Sequence, residues 1–491
     1  MITDITIHFG FLKLRVQSCY KLSASIVHFV RCMSLFYFSL NRSNFRMEFN
    51  QFIPASSLFL GSIHFGNHFH MEKQEEYPLT SGQRWIVHRW ETNSGPSGPV
   101  PRIYLLTKDF NYSAFVKAIN IVVSSHPSLR LKLTKRKYGW RQSFPDTTPF
   151  VCDVKVKGLF KRTHVKRIIA GESRRVYDLR SDTPVRAVVL RVNKKNILSL
   201  CIDHAAVDAI SIDVFEKHLL EVYQKLIMNV PIHSSPSEAF LGFLAREIST
   251  QEVEDRNLEY WKKELKELPK FPFLGLKPSN IGYVFRWNIK DEEFQTIKTF
   301  CLERKCTLYT LMVVLQLRLL SEARGIDEIV LNIIISNRIR PEDREIIGNI
   351  FMPLRVRFSV LKNEPIPEFL GRVQQKIWDA MLHRQYDYPS LQDFLICESR
   401  RTGYSVGFTC SCNFIVDDGL TFPNPLFVKR LDQSLVKFYP SVLEGTFSFR
   451  ARQFQSSLSF EIIWDAKAWP ISPIKMPSTF IHTLRKVYTS S

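Results

Sequence analysis

Residues 185–192 and 197–202 form two short apolar runs, VRAVVLRV and ILSLCI, joined by a KKN turn at 194–196. Runs this short and this rich in β-branched residues are predicted to be strands. The following residues, DHAAVDAIS (203–211), break the pattern, and Ile212, Phe215, Leu219, Val222 and Leu226 then recur at helical spacing. A strand that passes through a tight loop into a helix fits only a mixed α/β or α+β architecture. It also sets His204 at a strand end, four residues before Asp208.

That arrangement resembles an acyltransferase active-site loop. An imidazole ordinarily titrates near neutrality, so it can take a proton from an attacking hydroxyl or amine, and a nearby carboxylate can brace the loop. A second H-x-x-x-D, His383 to Asp387, ends the amphipathic series Phe369, Val373, Ile377, Ala380, Met381 and reads instead as a solvated helix terminus. Asp203, beside His204, is expected either to orient the imidazole or to face the other side of the strand end.

Strand and helix patterns alternate from Tyr77 onward. RIYLLT (102–107) reads as a strand, followed by a helix on Phe115, Ile119, Val122 and Val123 with Asn111 as its cap. The same logic returns later, with Phe294, Ile297, Phe300 and Cys301 on one helix face and a largely buried helix after Thr307. Strands are predicted at 329–335, 352–358, 407–416 and 456–464. Two similar lobes follow, 71–270 and 271–491, their boundary falling where Pro and Gly concentrate at 268–282.

Residues 1–70 differ from the rest, being rich in Phe and poor in acids. Their longest apolar stretch, 24–41, is interrupted by His28 and Arg31. An arginine near the centre of a span costs roughly 2.5–3.5 kcal/mol on insertion scales, so a membrane anchor is not expected. This leader is expected to be disordered or a gene-model extension, with Met71 as the natural start.

At 491 residues, with 45% hydrophobic and 13% aromatic content, the chain exceeds one ordinary core and is not a disordered polymer. A net charge of +20 suggests an anionic partner, yet the basic residues are scattered and no nucleic-acid module is readable, so nucleic acid is not an expected partner. Nine cysteines without regular spacing argue for reduced thiols and a cytoplasmic location. No C-x-x-C pair occurs, and no metal is expected; His64, His68 and His70 lie in the leader. The chain lacks a P-loop, a dinucleotide fingerprint and a G-x-S-x-G elbow.

Seven segments in order, YPLTSGQRWI (77–86), SSHPSLRLKL (124–133), YDLRSDTPVRAVVLRV (177–192), LEYWKKELKELP (258–269), IDEIVLNIIISNRIRPE (326–342), GNIFMPLRVRF (348–358) and FTCSCNFIVDD (408–418), resemble condensation domains of nonribosomal peptide synthetases and their free-standing acyltransferase relatives. The likeness runs over roughly 77–465. The usual pattern there is H-H-x-x-x-D-G. Here Asp203 replaces the first His and Ala209 the Gly, while the second His is kept as His204. The segment from Gly348 to Arg355 is shorter than is typical.

The resemblance implies two chloramphenicol-acetyltransferase-like lobes with a tunnel between them and His204 at its middle as general base. It implies a structural role for Asp208, paired across the lobes with Arg338, and a substrate-facing Asn413. Ser211 and the backbone after Asp208 are expected near the developing oxyanion, since a helix N-terminus suits negative charge. His126 and Arg130 are expected to organise the lobe. No tightly bound cofactor is implied. The donor would be a thioester on coenzyme A or on the phosphopantetheine of a carrier protein, the acceptor a small alcohol or amine, and the chain a monomer. The replacements at 203 and 209 leave open a second reading, a catalytically degenerate binding or scaffold protein.

Overall fold

A computed structural model of the chain describes residues 3–9, 12–18 and 76–489, except 93–97, 138, 157–160, 233–236, 248–250, 269–281, 404–409, 418–419, 421–422, 432–446, 466–468 and 470. Residues 1–71 and 72–491 are separate units. In the first, β1 (Thr3–Phe9) and β2 (Leu12–Ser18) pair as an antiparallel hairpin. The apolar stretch at 24–41, His64, His68 and His70, and nearly all of the expected lobe boundary lie outside the described residues.

The second unit begins with β3 (Tyr77–Pro78), α1 (Ser81–Glu91), β4 (Val100–Leu106), α2 (Tyr112–Ser125), β5 (Lys132–Arg136), β6 (Gly139–Ser143), β7 (Phe150–Lys155), α3 (Lys161–Ser173), β8 (Val185–Val192), β9 (Lys195–Ile202), α4 (Ala209–Ile227), α5 (Ala239–Arg246) and α6 (Gln251–Glu264). It continues with β10 (Gly282–Lys290), α7 (Asp291–Glu303), α8 (Leu308–Arg324), β11 (Glu328–Ser336), β12 (Phe351–Ser359), α9 (Ile366–Leu382), α10 (Tyr388–Thr402), β13 (Cys410–Val416), β14 (Phe427–Arg430), β15 (Phe447–Gln453), β16 (Ser457–Asp465) and α11 (Met476–Thr489).

Two larger sheets result. One has the order β14-β4-β9-β8-β7, the other β10-β16-β15-β13-β11-β12, and β3-β6-β5 form a small third sheet. In the first, β8 and β9 are antiparallel, with Val185 opposite Ile202, and both strands are buried over most of their length. Near-continuous burial is what central strands covered on both faces require, and it explains why their sequence is apolar rather than alternating. In the second sheet β11, β13 and β15 are parallel neighbours. Cys410 and Cys412 are buried on one face of β13, and burial raises both thiols above the ordinary cysteine range.

Local signals set the helices. The Asn111 side chain caps α2 by accepting from the Ala114 N–H at 3.0 Å, and Thr307 caps α8 by accepting from Thr310 N–H at 3.0 Å. Residues 310–317 of α8 are all buried, as a helix apolar on every side requires. It stops at Gly325, whose φ of +64° suits the left-handed cap. Among the described residues no single helix is long and apolar enough to cross a membrane. The bent pair α7 and α8 passes by length and composition together, at an angle of 101°, and its apolar side chains belong to the second sheet's core.

The sequence reading contained no β14. This four-residue strand comes from the second half of the chain yet pairs antiparallel with β4 and completes the first sheet. Phe427 stacks on buried Tyr104 at 4.2 Å. Arg430 donates to Glu216 Oε2 on α4 at 2.7 Å, and Arg102 on β4 approaches Glu216 Oε1 at 3.1 Å. The His383 terminus also differs from expectation. His383 caps the end of α9, but its ring lies flat against Tyr260 at 3.7 Å instead of facing water, and its carbonyl accepts from the Trp261 indole at 2.7 Å. Asp387 caps α10 by accepting from Ser390 N–H at 3.0 Å.

Candidate active site

The loop from β9 to α4 is built by its own polar side chains. The Asp203 amide extends the β8–β9 ladder by donating to the Pro184 carbonyl at 2.9 Å, and its carboxylate accepts from the Ala205 N–H at 2.8 Å, closing an Asx-type turn. Asp203 is buried, and that burial, opposed by the Ala205 hydrogen bond, pushes its carboxyl up to about 7. Among the described residues no hydrogen bond joins it to the His204 ring. Asp203 therefore shapes the turn and does not orient the imidazole.

His204 is half-buried. Its Nδ1 lies 2.9 Å from the Val207 carbonyl. A carbonyl only accepts, so Nδ1 carries the proton, and in the neutral ring Nε2 is left with the lone pair. The Phe351 ring from β12 stands 5.5 Å away, tilted by 46°. The His204 carbonyl accepts from Asn349 Nδ2 at 2.5 Å.

Asp208 caps α4, with Oδ1 accepting from the Ser211 N–H at 2.8 Å. Arg338 meets the same carboxylate through both terminal nitrogens, Nη1 to Oδ2 at 2.7 Å and Nη2 to Oδ1 at 3.0 Å, and the Ile350 N–H donates to Oδ2 at 3.2 Å. Burial works against ionisation here, but the Arg338 charge and these hydrogen bonds outweigh it and hold Asp208 below the usual carboxylate range. Arg338 Nη2 also donates to the Ser211 hydroxyl at 2.7 Å and to the Ile346 carbonyl at 3.0 Å.

Ser211 needs a correction. Its side chain is fully buried, and its hydroxyl lies 2.8 Å from Asp208 Oδ1 and 2.6 Å from the Gly348 carbonyl, so its single proton is committed within the protein. It serves the joint between α4 and the 346–350 segment and does not present an oxyanion donor. Asn413 is half-buried on β13, on the face opposite Cys410 and Cys412, between Ile334 and Arg450 in register. Among the described residues no hydrogen bond links it to His204, although α4 runs alongside β13. His126 stacks on His218 of α4 with ring nitrogens 3.1 Å apart, and Arg130 donates to the Phe144 carbonyl at 2.8 Å.

Asn349 was absent from the sequence reading. Besides holding the His204 carbonyl, its own carbonyl accepts from the Thr80 hydroxyl at 2.7 Å. A side chain on Gly82 would collide with Asn349 Oδ1, so α1 approaches this segment only because residue 82 is glycine. The shortened stretch from Gly348 was the available signal, since a short connection beside a reactive loop tends to touch it.

A cavity of about 600 Å³ adjoins the site, lined by Thr80, Arg84, Phe243, Glu247, Asn337 and Ile350 among others. His204 is not among its lining residues. The wall between them is residues 349–351, with Asn349 bonded to His204 on one side and Thr80 and Ile350 facing the cavity on the other. The passage centred on His204 that the resemblance implies does not coincide with this cavity. Among the described residues no cluster of His, Cys, Asp and Glu could hold a metal ion.

Two sheets, a strand exchanged from the second half and a histidine loop clamped by an ion pair define a chloramphenicol-acetyltransferase-like fold. A family model for the condensation domain matches residues 73–487, and the chain belongs to that family. Surfactin synthase subunit 1 of Bacillus subtilis (strain 168) is 22% identical over 337 residues, 66% of this chain and 9% of that protein. The N-(5-amino-5-carboxypentanoyl)-L-cysteinyl-D-valine synthase of Penicillium chrysogenum is 22% identical over 336 residues, 65% of this chain and 9% of that protein. The chain thus spans about a tenth of the length of these relatives.

Among solved structures, the first condensation domain of the calcium-dependent antibiotic synthetase superposes with a TM-score of 0.63 at 12% identity, over 85% of this chain and 97% of that one. The starter condensation domain of rhizomide synthetase, solved as a point mutant with C8-CoA, gives 0.61 at 14% identity, over 84% and 94%. The epimerization domain of the third module of tyrocidine synthetase B gives 0.63 at 14% identity, over 84% and 96%. Condensation domains form amide or ester bonds, which supports a transferase role at that coarse level, and the fold is also used for epimerization.

Proposed function

We propose that the chain is an acyltransferase that moves an acyl group from a coenzyme A or carrier-protein thioester to a hydroxyl or amine, with His204 as general base, acting in the cytoplasm. The observation that carries this reading is the His204 tautomer: the hydrogen bond from Nδ1 to Val207 sets the lone pair of the neutral, half-buried ring on Nε2. Nε2 takes the acceptor's proton as the nucleophile attacks the thioester carbonyl. The tetrahedral intermediate then collapses, the C–S bond breaks, and the departing thiolate receives the proton back from the imidazolium. Asp208 and Arg338 position the loop. Asn413 is the side chain proposed to face substrate, and the Ala209 and Ile210 amides at the start of α4, which have no partner within the helix, are the proposed oxyanion donors in place of the Ser211 hydroxyl.

The test offers acyl-CoA and phosphopantetheine thioesters with pooled alcohols and amines, products being identified by mass spectrometry. His204→Ala is expected to lower turnover by about 100 to 10,000-fold; turnover unaffected by the change removes the proposed base. Asp203 and Ala209, standing where the family pattern has its first histidine and its glycine, favour a second reading, a binding protein without turnover. Saturable thioester binding by calorimetry, with no product formed by the unmodified protein, would select it.

A further inference from the structure

Helix α7 ends in a chain reversal whose hydrogen bonds are specific. The Cys306 N–H donates to the Cys301 carbonyl at 2.9 Å, and the Lys305 N–H donates to the Leu302 carbonyl at 3.1 Å. Lys305 lies between them in the left-handed region, at φ +51°. This pairing, six residues to one and five to two around a left-handed residue, is a Schellman motif, which brings the side chains three places before and two places after the cap onto each other. That contact is usually between apolar residues. Here the two positions are both cysteine, so the motif sets the two thiols against each other.

The reversal is held from outside as well. Gln374 on α9 donates to the Lys305 carbonyl at 3.0 Å and accepts from the Thr307 N–H at 3.1 Å. Both thiols are reduced in this structure, Cys301 buried and Cys306 half-buried. The neighbouring Cys301 thiol, with Arg304 nearby, holds Cys306 below the ordinary thiol range against the opposing effect of burial, and Cys301 is correspondingly raised. An accessible thiol with thiolate character beside a second, protected thiol is the arrangement of a redox-sensitive pair. Of the other described cysteines, Cys397 is exposed, Cys152 is half-buried with its thiol raised by burial, and Cys201, Cys410 and Cys412 are buried.

We propose that Cys306 and Cys301 form a reversible oxidation site for hydroperoxides, with Cys306 attacking and Cys301 resolving. The Cys306 thiolate attacks the terminal oxygen of ROOH, the O–O bond breaks, and the alkoxide leaves as ROH after taking a proton. The Cys301 thiol then attacks the sulfenic sulfur, the S–S bond forms, and the hydroxyl departs with the thiol proton as water. Dithiothreitol restores both thiols.

Hydrogen peroxide is the probe, followed by alkylation, tryptic digestion and mass spectrometry. Trypsin cuts at Arg304 and Lys305, between the two sulfurs, so the disulfide converts two separate peptides into one linked pair lighter than their sum by two hydrogens. The expected result is that linked pair in the unmodified protein, lost on reduction. Cys301→Ser is expected to leave Cys306 as a sulfenic acid captured by a cyclic diketone, and Cys306→Ser to leave Cys301 unoxidised. Cys306 passing to sulfinic acid without a linked pair, or Cys397 being consumed first, would overturn the proposal.

Discussion

Removing the guanidinium that holds Asp208 tests how the two halves share the reactive loop. The side chains of Arg338 and Asp208 are 4% and 6% exposed, and the carboxylate accepts from Ser211, Ile350 and both terminal nitrogens of Arg338. Arg338→Ala strands an ionised carboxylate where water cannot compensate, at a cost of about 3–5 kcal/mol. Asp208→Asn keeps a capping oxygen for Ser211 but strands the cation, and a loss of similar size is expected. The double variant Asp208→Asn/Arg338→Ala buries no charge at this point, so its loss should fall short of the sum of the single losses by about 2 kcal/mol or more.

Urea unfolding followed by tryptophan fluorescence reads the four free energies, provided each variant unfolds in one transition. The pH dependence has a definite sign. Because the folded Asp208 carboxyl is held below its unfolded value of 3.8, its contribution is present above that pH and disappears as pH falls through the lower folded value. The Arg338→Ala deficit should therefore be full near pH 7 and shrink as the pH falls below 3.8. A coupling near zero, or a deficit unchanged by acid, would refute the assignment of Asp208 as a charged cross-junction anchor.

Three further outcomes are expected. Asp203, raised by burial to about 7 from 3.8, favours the folded state below the lower value, and that advantage is lost as pH rises through the higher one. Asp203→Asn preserves an acceptor for the Ala205 amide, so it should raise stability at pH 8 by up to roughly 4 kcal/mol and change little near pH 4; an equal effect at both would show that the carboxyl does not titrate there. Gly82→Ala drives a methyl into Asn349 Oδ1 and to within 2.9 Å of the Phe351 carbonyl, and should cost about 1–3 kcal/mol in thermal or urea unfolding. Wild-type stability in that variant would mean that α1 does not sit against the 349–351 wall. Asn349→Ala releases the His204 carbonyl and should lower any acyl transfer without abolishing it, whereas the loss from His204→Ala should be far larger.

Elements whose residues make their own local argument were legible in the sequence. The β8–β9 pair, the α4 periodicity, the Asn111 cap and the buried α8 all follow from patterns within about twenty residues. The Asp208–Arg338 contact came from family resemblance, since nothing local connects positions 130 residues apart. What escaped was set by tertiary contact. Four residues of β14 carry too little periodicity to announce a strand, Ser211 lost its free hydroxyl to a segment 137 residues away, and His383 found Tyr260 where an amphipathic pattern implied water. Asn349 is a common loop residue until its neighbours are known.

The strand exchanged from the second half has a consequence for how the chain reaches its native state. On a ribosome, β4 is made more than three hundred residues before β14, so throughout that interval one border of the first sheet has unpaired backbone groups, and Tyr104 and Glu216 lack Phe427 and Arg430. Such a border invites strand pairing between nascent chains. An isolated N-terminal fragment would keep that border open, which makes the two halves poor candidates for separate expression and leaves residues made late in synthesis to seal the part made first.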